Sequence, residues 1–282
     1  MASAFTLLPM SQELSLTAGE IFEGKITVSN PADATEDFSY LVEVSPYSVS
    51  GGEYLADLET KNNHTLLADW IEVEKPSGIL KPNESVNIKY KITVPLKAPA
   101  GGQYAAISVR SNNQTSSTVS AHIENIFQMA SVIFANISGE TVHSGEIVSN
   151  TLPAFSTVTP VFSKISLTNG GNVHEKATTT ITVKNVFGGG QVFPLEGEQN
   201  SFVDYVMPES SRYITRSIDR LAGLGVYEVN QTVEYLGETS SLSQIVIVCP
   251  IWFLVLVMAT IAALIVTVVT MVRKRIKLKR EI

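Results

Sequence analysis

Cysteine is almost missing from this chain of 282 residues: its one thiol, Cys249, lies inside a long apolar run near the C-terminal end. Everything before that run can therefore form no disulfide and no thiolate metal site, which disfavours the small disulfide-stapled secreted domains. The four histidines, His64, His122, His143 and His174, contain no i, i+4 pair and no His-Glu-x-x-His motif, so no metal site is expected. No Gly-x-Ser-x-Gly occurs, and Ser, His and Asp are too numerous to nominate a triad without geometry. Gly188-Gly-Gly190 is not followed by the Lys-Ser/Thr of a phosphate loop and reads as a hairpin turn. Leu152-Pro-Ala-Phe-Ser156 lacks the Thr-Gly of a sortase signal. The expectation is a protein without enzymatic activity, cofactor or metal.

Charge is scarce as well, at 17% of residues against roughly 25% in an average soluble domain. It is absent altogether from residues 245–272, a run of 28 that opens on Ile245, closes on Val272 and includes Pro250 and Trp252. About 20 apolar residues suffice to cross a bilayer, so a transmembrane helix is expected over residues 244–272. Pro is tolerated in a first helical turn, where the donor it lacks has no partner, and Trp suits the interface. Six cations follow at once, Arg273, Lys274, Arg275, Lys277, Lys279 and Arg280, which makes residues 273–282 a basic cytoplasmic tail and puts the preceding body outside. That body carries 14 basic against 26 acidic residues, a net −12. An acidic body is poorly suited to phosphate backbones, so nucleic acid is excluded as a partner. Membrane lipid is the one partner that composition implies directly.

Missing too is a hydrophobic segment near the first residue that could direct export. Ala2-Ser3-Ala4 nevertheless has the A-x-A pattern of a cleavage site, and residues 1–12 are read as an N-terminal segment with a signal-peptide remnant. The alternative, a tail-anchored protein with a cytosolic body, would require six cations to cross the membrane. Five Asn-x-Ser/Thr sequons, at Asn63, Asn83, Asn113, Asn136 and Asn230, fit the Ser/Thr/Asn-rich composition and carry little weight.

Before the span the hydrophobic period is two. In residues 86–94, Val86, Ile88, Tyr90, Ile92 and Val94 alternate with Asn87, Lys89, Lys91 and Thr93, one face for a core and one for water. Similar runs occupy residues 25–29, 38–44, 70–74, 104–109, 131–135, 164–168, 179–183, 213–218 and 226–235, punctuated by turn clusters such as Asn30-Pro-Ala-Asp33 and Thr168-Asn-Gly-Gly-Asn172. Many short strands with Gly/Pro/Asn punctuation indicate antiparallel sandwiches. The pattern also repeats. Gly24-Lys-Ile-Thr-Val-Ser-Asn30 aligns with Ser163-Lys-Ile-Ser-Leu-Thr-Asn169 at a shift of 139, Pro82-Asn-Glu-Ser85 with Pro208-Glu-Ser-Ser211, and Gly102-Gln-Tyr104 with Gly225-Val-Tyr227. Three blocks in one order argue for duplication. The expected fold is all-β, two tandem Ig-like antiparallel β-sandwiches over residues 13–126 and 127–243, followed by one transmembrane α-helix.

Residues 48–67 form a longer connection than any counterpart in the second copy, and longer loops on a rigid scaffold are where binding concentrates. Tyr54, Asn63 and His64 are the candidate ligand residues there. Trp70, Tyr90 and Tyr104 sit in alternating strands and are expected in the core, and His174 is expected to serve a turn. Ala259 and Ala263 would allow close helix packing, which leaves the oligomeric state open.

Thr168-Asn-Gly-Gly-Asn-Val-His174, Ile181-Thr-Val-Lys-Asn-Val-Phe-Gly188, Val206-Met-Pro-Glu-Ser-Ser-Arg212 and Gly225-Val-Tyr227 together resemble the distal domain of bacterial WxL-interacting cell-surface proteins. Leu80-Lys-Pro-Asn-Glu-Ser85 and Pro99-Ala-Gly-Gly-Gln-Tyr104 resemble the proximal domain of the same architecture. The resemblance implies a cell-surface protein whose first domain binds peptidoglycan and whose second binds host or other protein partners. It supplies no matched set of ligand residues. The reading is thus a membrane-anchored surface protein for non-catalytic binding to peptidoglycan or a surface protein. The alternative is an accessory scaffolding subunit of a membrane transport or secretion complex.

Overall fold

The computed structural model describes residues 5–50, 55–111, 128–188, 190–219, 221 and 223–280. In chain order the first strands are β1 (Thr6–Leu8), β2 (Ser11–Leu16), β3 (Ile21–Ser29), β4 (Phe38–Pro46), β5 (Ser48–Ser50), β6 (Leu55–Asp57), β7 (Ile71–Val73), β8 (Ser77–Leu80), β9 (Ser85–Thr93), β10 (Gly101–Ser111) and β11 (Gln128–Ile137). A 3-10 turn, Leu66–Trp70, precedes β7. There follow β12 (Gly145–Thr151), β13 (Phe155–Ser156), β14 (Val161–Asn169), β15 (Glu175–Asn185), β16 (Gln191–Phe193), β17 (Ser201–Val206), β18 (Ser210–Ile218), β19 (Gly225–Tyr235), β20 (Glu238–Val248) and the helix α1 (Ile251–Arg280).

The first part of the chain builds two sheets, of order β1-β3-β9-β7 and β2-β11-β10-β4-β8. The alternation in β9 acts as its sequence suggests: Ile88, Tyr90 and Ile92 are buried while Lys89 and Lys91 face outward. Their cluster contains Ile26 and Val28 of β3 from the first sheet, with Val42 of β4, Ile107 of β10 and Ile133 of β11 from the second. Two sheets sharing one core make a sandwich. The remainder repeats this with sheets β12-β14-β18 and β13-β20-β19-β15-β16, the latter also pairing β17 along β15. Val161 and Ile218 from one sheet meet Ile181, Val183, Tyr227, Val229, Val246 and Val248 from the other. The chain is all-β, with two Ig-like sandwiches and a C-terminal apolar helix. By contacts it divides into two compact units: Met1–Glu146 with Thr168–Glu175 and Tyr205–Arg212, and Ile147–Leu167 with Lys176–Asp204 and Tyr213–Ile282.

The three repeated blocks prove to be the same three devices. Asn30 is buried at the end of β3, and its Nδ2 donates to the Glu36 carbonyl at 3.0 Å and the Leu80 carbonyl at 3.1 Å. Asn169, buried at the end of β14, donates to the carbonyls of Val173 at 2.8 Å and Val206 at 2.9 Å. Each amide therefore ties together two places where the chain crosses from one sheet to the other. In the Pro-led turns, Asn83 (φ 65°) and Glu209 (φ 53°) take the same left-handed position. In the Gly-x-Tyr blocks the tyrosine folds back over the glycine. A Cβ at Gly102 would lie 1.9 Å from the Tyr104 hydroxyl and one at Gly225 would lie 2.6 Å from that of Tyr227, so only glycine fits.

Three expectations change. Thr6–Leu8, set outside the first sandwich as part of the N-terminal segment 1–12, is a strand paired with β3, and Leu7 is buried in the core. The domain boundary read at residues 126/127 falls at the edge of residues outside the described set. The strand just after it, β11, pairs with β10 over ten residues and runs parallel to β2, so it completes a sheet of the first sandwich. Finally, residues 244–248 are strand and not helix. Ile245 pairs with Glu228 of β19, and Val246 and Val248 are fully buried. Their apolar character serves the sandwich core, and α1 begins only at Ile251, where the Pro250 carbonyl accepts from the Phe253 and Leu254 amides.

Removing the Asn30 side-chain amide would strand the buried Leu80 carbonyl and release the Glu36 carbonyl. We predict that Asn30→Ala destabilises the protein by about 2–3 kcal/mol in denaturant unfolding, well above the ~0.5 kcal/mol of a surface change, and that Asn169→Ala does the same.

Candidate functional site

The described residues of the long connection predicted to carry binding are tied into regular structure. β5 and β6 pair as a short ladder, with Ser48 opposite Asp57. The chain then turns through residues 62–65 into the 3-10 turn. Inside this turn the Asn62 amide donates to Thr65 Oγ1 at 2.8 Å, and the His64 amide donates to Asn62 Oδ1 at 2.8 Å. The turn is also stapled to β10. Gln103, buried, donates from Nε2 to the Asn63 carbonyl at 2.7 Å and accepts at Oε1 from the Leu66 amide at 3.1 Å. The Tyr104 amide donates to the His64 carbonyl at 2.8 Å.

His64 is held by its ring as well. Nδ1 lies 3.0 Å from the Gly102 carbonyl, which can only accept, so Nδ1 carries the proton. That leaves Nε2 facing Glu209, 4.0 Å from its carboxylate. The two line a groove of about 250 Å³ together with Tyr47, Asn63, Tyr104 and Met207. All of these residues belong to the first unit. Burial raises the Tyr47 phenol above its ordinary value, with the Arg212 cation opposing, so it is a neutral donor at physiological pH. A ring nitrogen, an exposed carboxylate and a phenol around a shallow groove can hydrogen-bond a polyhydroxylated or peptide ligand. Among the described residues no cluster of His, Cys, Asp or Glu could hold a metal ion.

Behind the groove stands an aromatic box. Tyr104 and Phe134 meet edge to face at 5.7 Å between centroids, and Phe134 stacks on Tyr205 at 5.3 Å. His174 packs against all three. The Tyr104 hydroxyl accepts from the His174 amide at 2.9 Å and lies 3.2 Å from its Nδ1. The Tyr205 hydroxyl donates to Glu13 at 2.6 Å. His174, expected to serve only its own turn, is thus locked to β10.

Of the candidates from sequence, Asn63 and His64 both line the groove, and the Asn63 carbonyl is held by Gln103. Tyr54 lies outside the described residues, as do Ala2-Ser3-Ala4. Tyr90 and Tyr104 are buried, as expected, and Trp70 packs against the cluster that holds Tyr90. Glu209 was not anticipated. The left-handed turn that presents Glu209 repeats the Asn83 turn, which is the sequence signal that marks it. In α1, Trp252 and Val272 are exposed. The backbone helix continues through Arg273, Lys274, Arg275, Lys277 and Lys279 to Arg280.

No protein-family model matches the chain, and no curated protein sequence is similar to it. Among solved structures it is similar to the class 5 fimbriae chaperone CfaA, with 15% identity and a TM-score of 0.41 over 86% of this chain and 99% of that one. It is also similar to the E. coli chaperone DraB (15%, TM-score 0.40, 85% and 96%) and to the periplasmic chaperone SfaE (10%, TM-score 0.36, 86% and 100%).

The two halves of the site should separate in mutants. Tyr104→Phe removes the acceptor for the His174 amide, and we predict a loss of about 1–2 kcal/mol in thermal or denaturant unfolding. Glu209→Gln, at an exposed side chain, should leave stability within about 0.5 kcal/mol.

Proposed function

We propose that this chain is a single-pass membrane protein that presents its two Ig-like sandwiches on the outer side of a bacterial cytoplasmic membrane for non-catalytic binding, to peptidoglycan or to a surface protein. The observation that carries the reading is the segment Ile251–Arg273: 23 helical residues of mean hydropathy 2.8, none buried against the body. At 1.5 Å per residue the segment spans about 34 Å, matching the roughly 30 Å of a bilayer core. A soluble protein would have to leave this apolar surface in water, whereas lipid satisfies it at no cost in buried polar groups. The six cations beyond it favour a cytoplasmic tail.

The groove beside His64 and Glu209 is the proposed ligand site, and the resemblance to WxL-interacting proteins supports peptidoglycan as its ligand. Glycan hydroxyls and muropeptide carboxylates or amines would find partners of the right kind in His64, Glu209 and Tyr47. A groove of this size, lined by polar and apolar groups alike, suits weak binding made effective by anchoring, since tethering at a surface raises the effective concentration of both partners.

The test is co-sedimentation of residues 5–248 with purified peptidoglycan. The fragment must reach Val248, because ending it at residue 243 would remove the buried Val246 and Val248 from the second core. Saturable binding, weakened at least tenfold by Glu209→Ala, is the expected result. Absence of binding at any ionic strength removes the peptidoglycan role and favours a scaffolding subunit whose partner is a membrane protein, to be sought by crosslinking.

A further inference from the structure

The second unit gathers a group of exposed apolar residues at one end. β20 runs toward α1, and only Cys249 and Pro250 separate them. That connector has no slack: the Cys249 amide donates to the Ser156 carbonyl at 2.9 Å, and the Pro250 carbonyl accepts the first helical bonds. The ladder registers fix which loops share this end. Val248 pairs with Gly225, Ile247 pairs with Phe155, and the Val186 amide donates to the Val226 carbonyl at 3.0 Å. A Cβ on Gly223 would lie 3.9 Å from the Pro250 ring. Three loops, β13–β14, β15–β16 and β18–β19, therefore meet the start of α1. They present Phe155, Val158, Phe187, Leu224 and Ile247 to solvent, Phe187 being 75% exposed.

Charge is withdrawn from the same end. Residues 147–163, 185–195, 221–227 and 239–272 contain no Asp, Glu, Lys or Arg, while the β18–β19 loop keeps Asp219 and Arg220 before its apolar stretch. The far end of the β19–β20 hairpin is by contrast flanked by Glu234 and Glu238. Contiguous exposed apolar surface of this kind marks an interaction site. Its position around the first turn of an apolar helix, next to Trp252, identifies the partner.

We infer that this end of the second sandwich is a lipid-contacting collar, in which Phe187, Phe155, Val158, Leu224 and Ile247 sit in the headgroup layer of the membrane that α1 crosses. The loops have the composition of interfacial segments, aromatic and aliphatic with uncharged polar neighbours. The two-residue connector holds them within about one helical turn of the bilayer surface, with no stalk between sandwich and membrane. The collar thus fixes the tilt of the second sandwich against the lipid. The inference rests on α1 being a membrane span.

The test uses the full chain in vesicles of phosphatidylcholine with brominated acyl chains, which quench nearby indoles. W70F leaves Trp252 as the only tryptophan and reports the span itself. F187W in a W70F/W252F background reports the collar, and V203W in that background reports an exposed strand position of the same unit. The expected result is quenching by half or more for Trp252 and for F187W, with V203W unaffected. Quenching of Trp252 without F187W overturns the collar and leaves the span. Equal quenching of V203W and F187W overturns it as well, since the sandwich would then lie flat on the lipid. An unquenched Trp252 overturns the span and with it the collar. Thermal unfolding of each variant identifies any that misfold. For F187W such a result would be replaced by V158W at the same end.

Discussion

One buried side-chain amide, used twice, sets the architecture on which everything else in this protein depends. A sandwich must pass its chain repeatedly from one sheet to the other, and each crossing leaves backbone carbonyls that neither ladder can satisfy. Asn30 takes two such carbonyls at once, from the turn after β3 and from the last residue of β8. Asn169 does the same after β14 and at the end of β17. Asn is suited to this because its amide offers two donors on a short, stiff stem, where Asp would bring a charge and Ser only one donor. Burying the clamp makes its hydrogen bonds costly to lose, so the crossings and the Pro-led turns beside them keep a fixed geometry.

That geometry has consequences downstream. The left-handed turn after Val206 presents Glu209 to the groove. The Gly102-x-Tyr104 fold-back buries a tyrosine whose hydroxyl then holds His174. The groove is thus a by-product of devices whose first role is structural, with one addition, the residue 62–65 turn stapled down by Gln103. A binding surface built on stapled loops loses little entropy when a ligand arrives.

Much of the fold was legible in the residues. The period-two alternation of β9 and the three repeated blocks identify duplicated sandwiches because each block is a local device with its own chemistry. What escaped was whatever depends on distant partners. β1 has only three residues and β2 reads Ser-Gln-Glu-Leu-Ser-Leu with few apolar residues, and Leu7 is core only because β3 lies beside it. β11 follows a long break in the pattern and joins the first sandwich through a ten-residue ladder with β10, a pairing that no local signal marks. β20 merges into the apolar span without a change in composition, so Val246 and Val248 read as membrane residues although they fill a core. Only Pro250, which cannot continue a ladder, records the true junction. Within the site, His64 was visible as a polar residue in a long loop. Glu209 was not, because it reaches the groove from a turn remote in sequence.

The proposed topology puts the sandwiches on the outer side of the membrane. The direct measurement is protease accessibility in intact cells expressing the full chain with an epitope after Ile282, using a protease that cannot cross the membrane. The prediction is that the body is degraded while a fragment of α1 with its tail and epitope survives until the cells are lysed. A body that resists the protease in intact cells and is cut only after lysis, with the epitope lost first, would contradict the account and place the sandwiches in the cytoplasm.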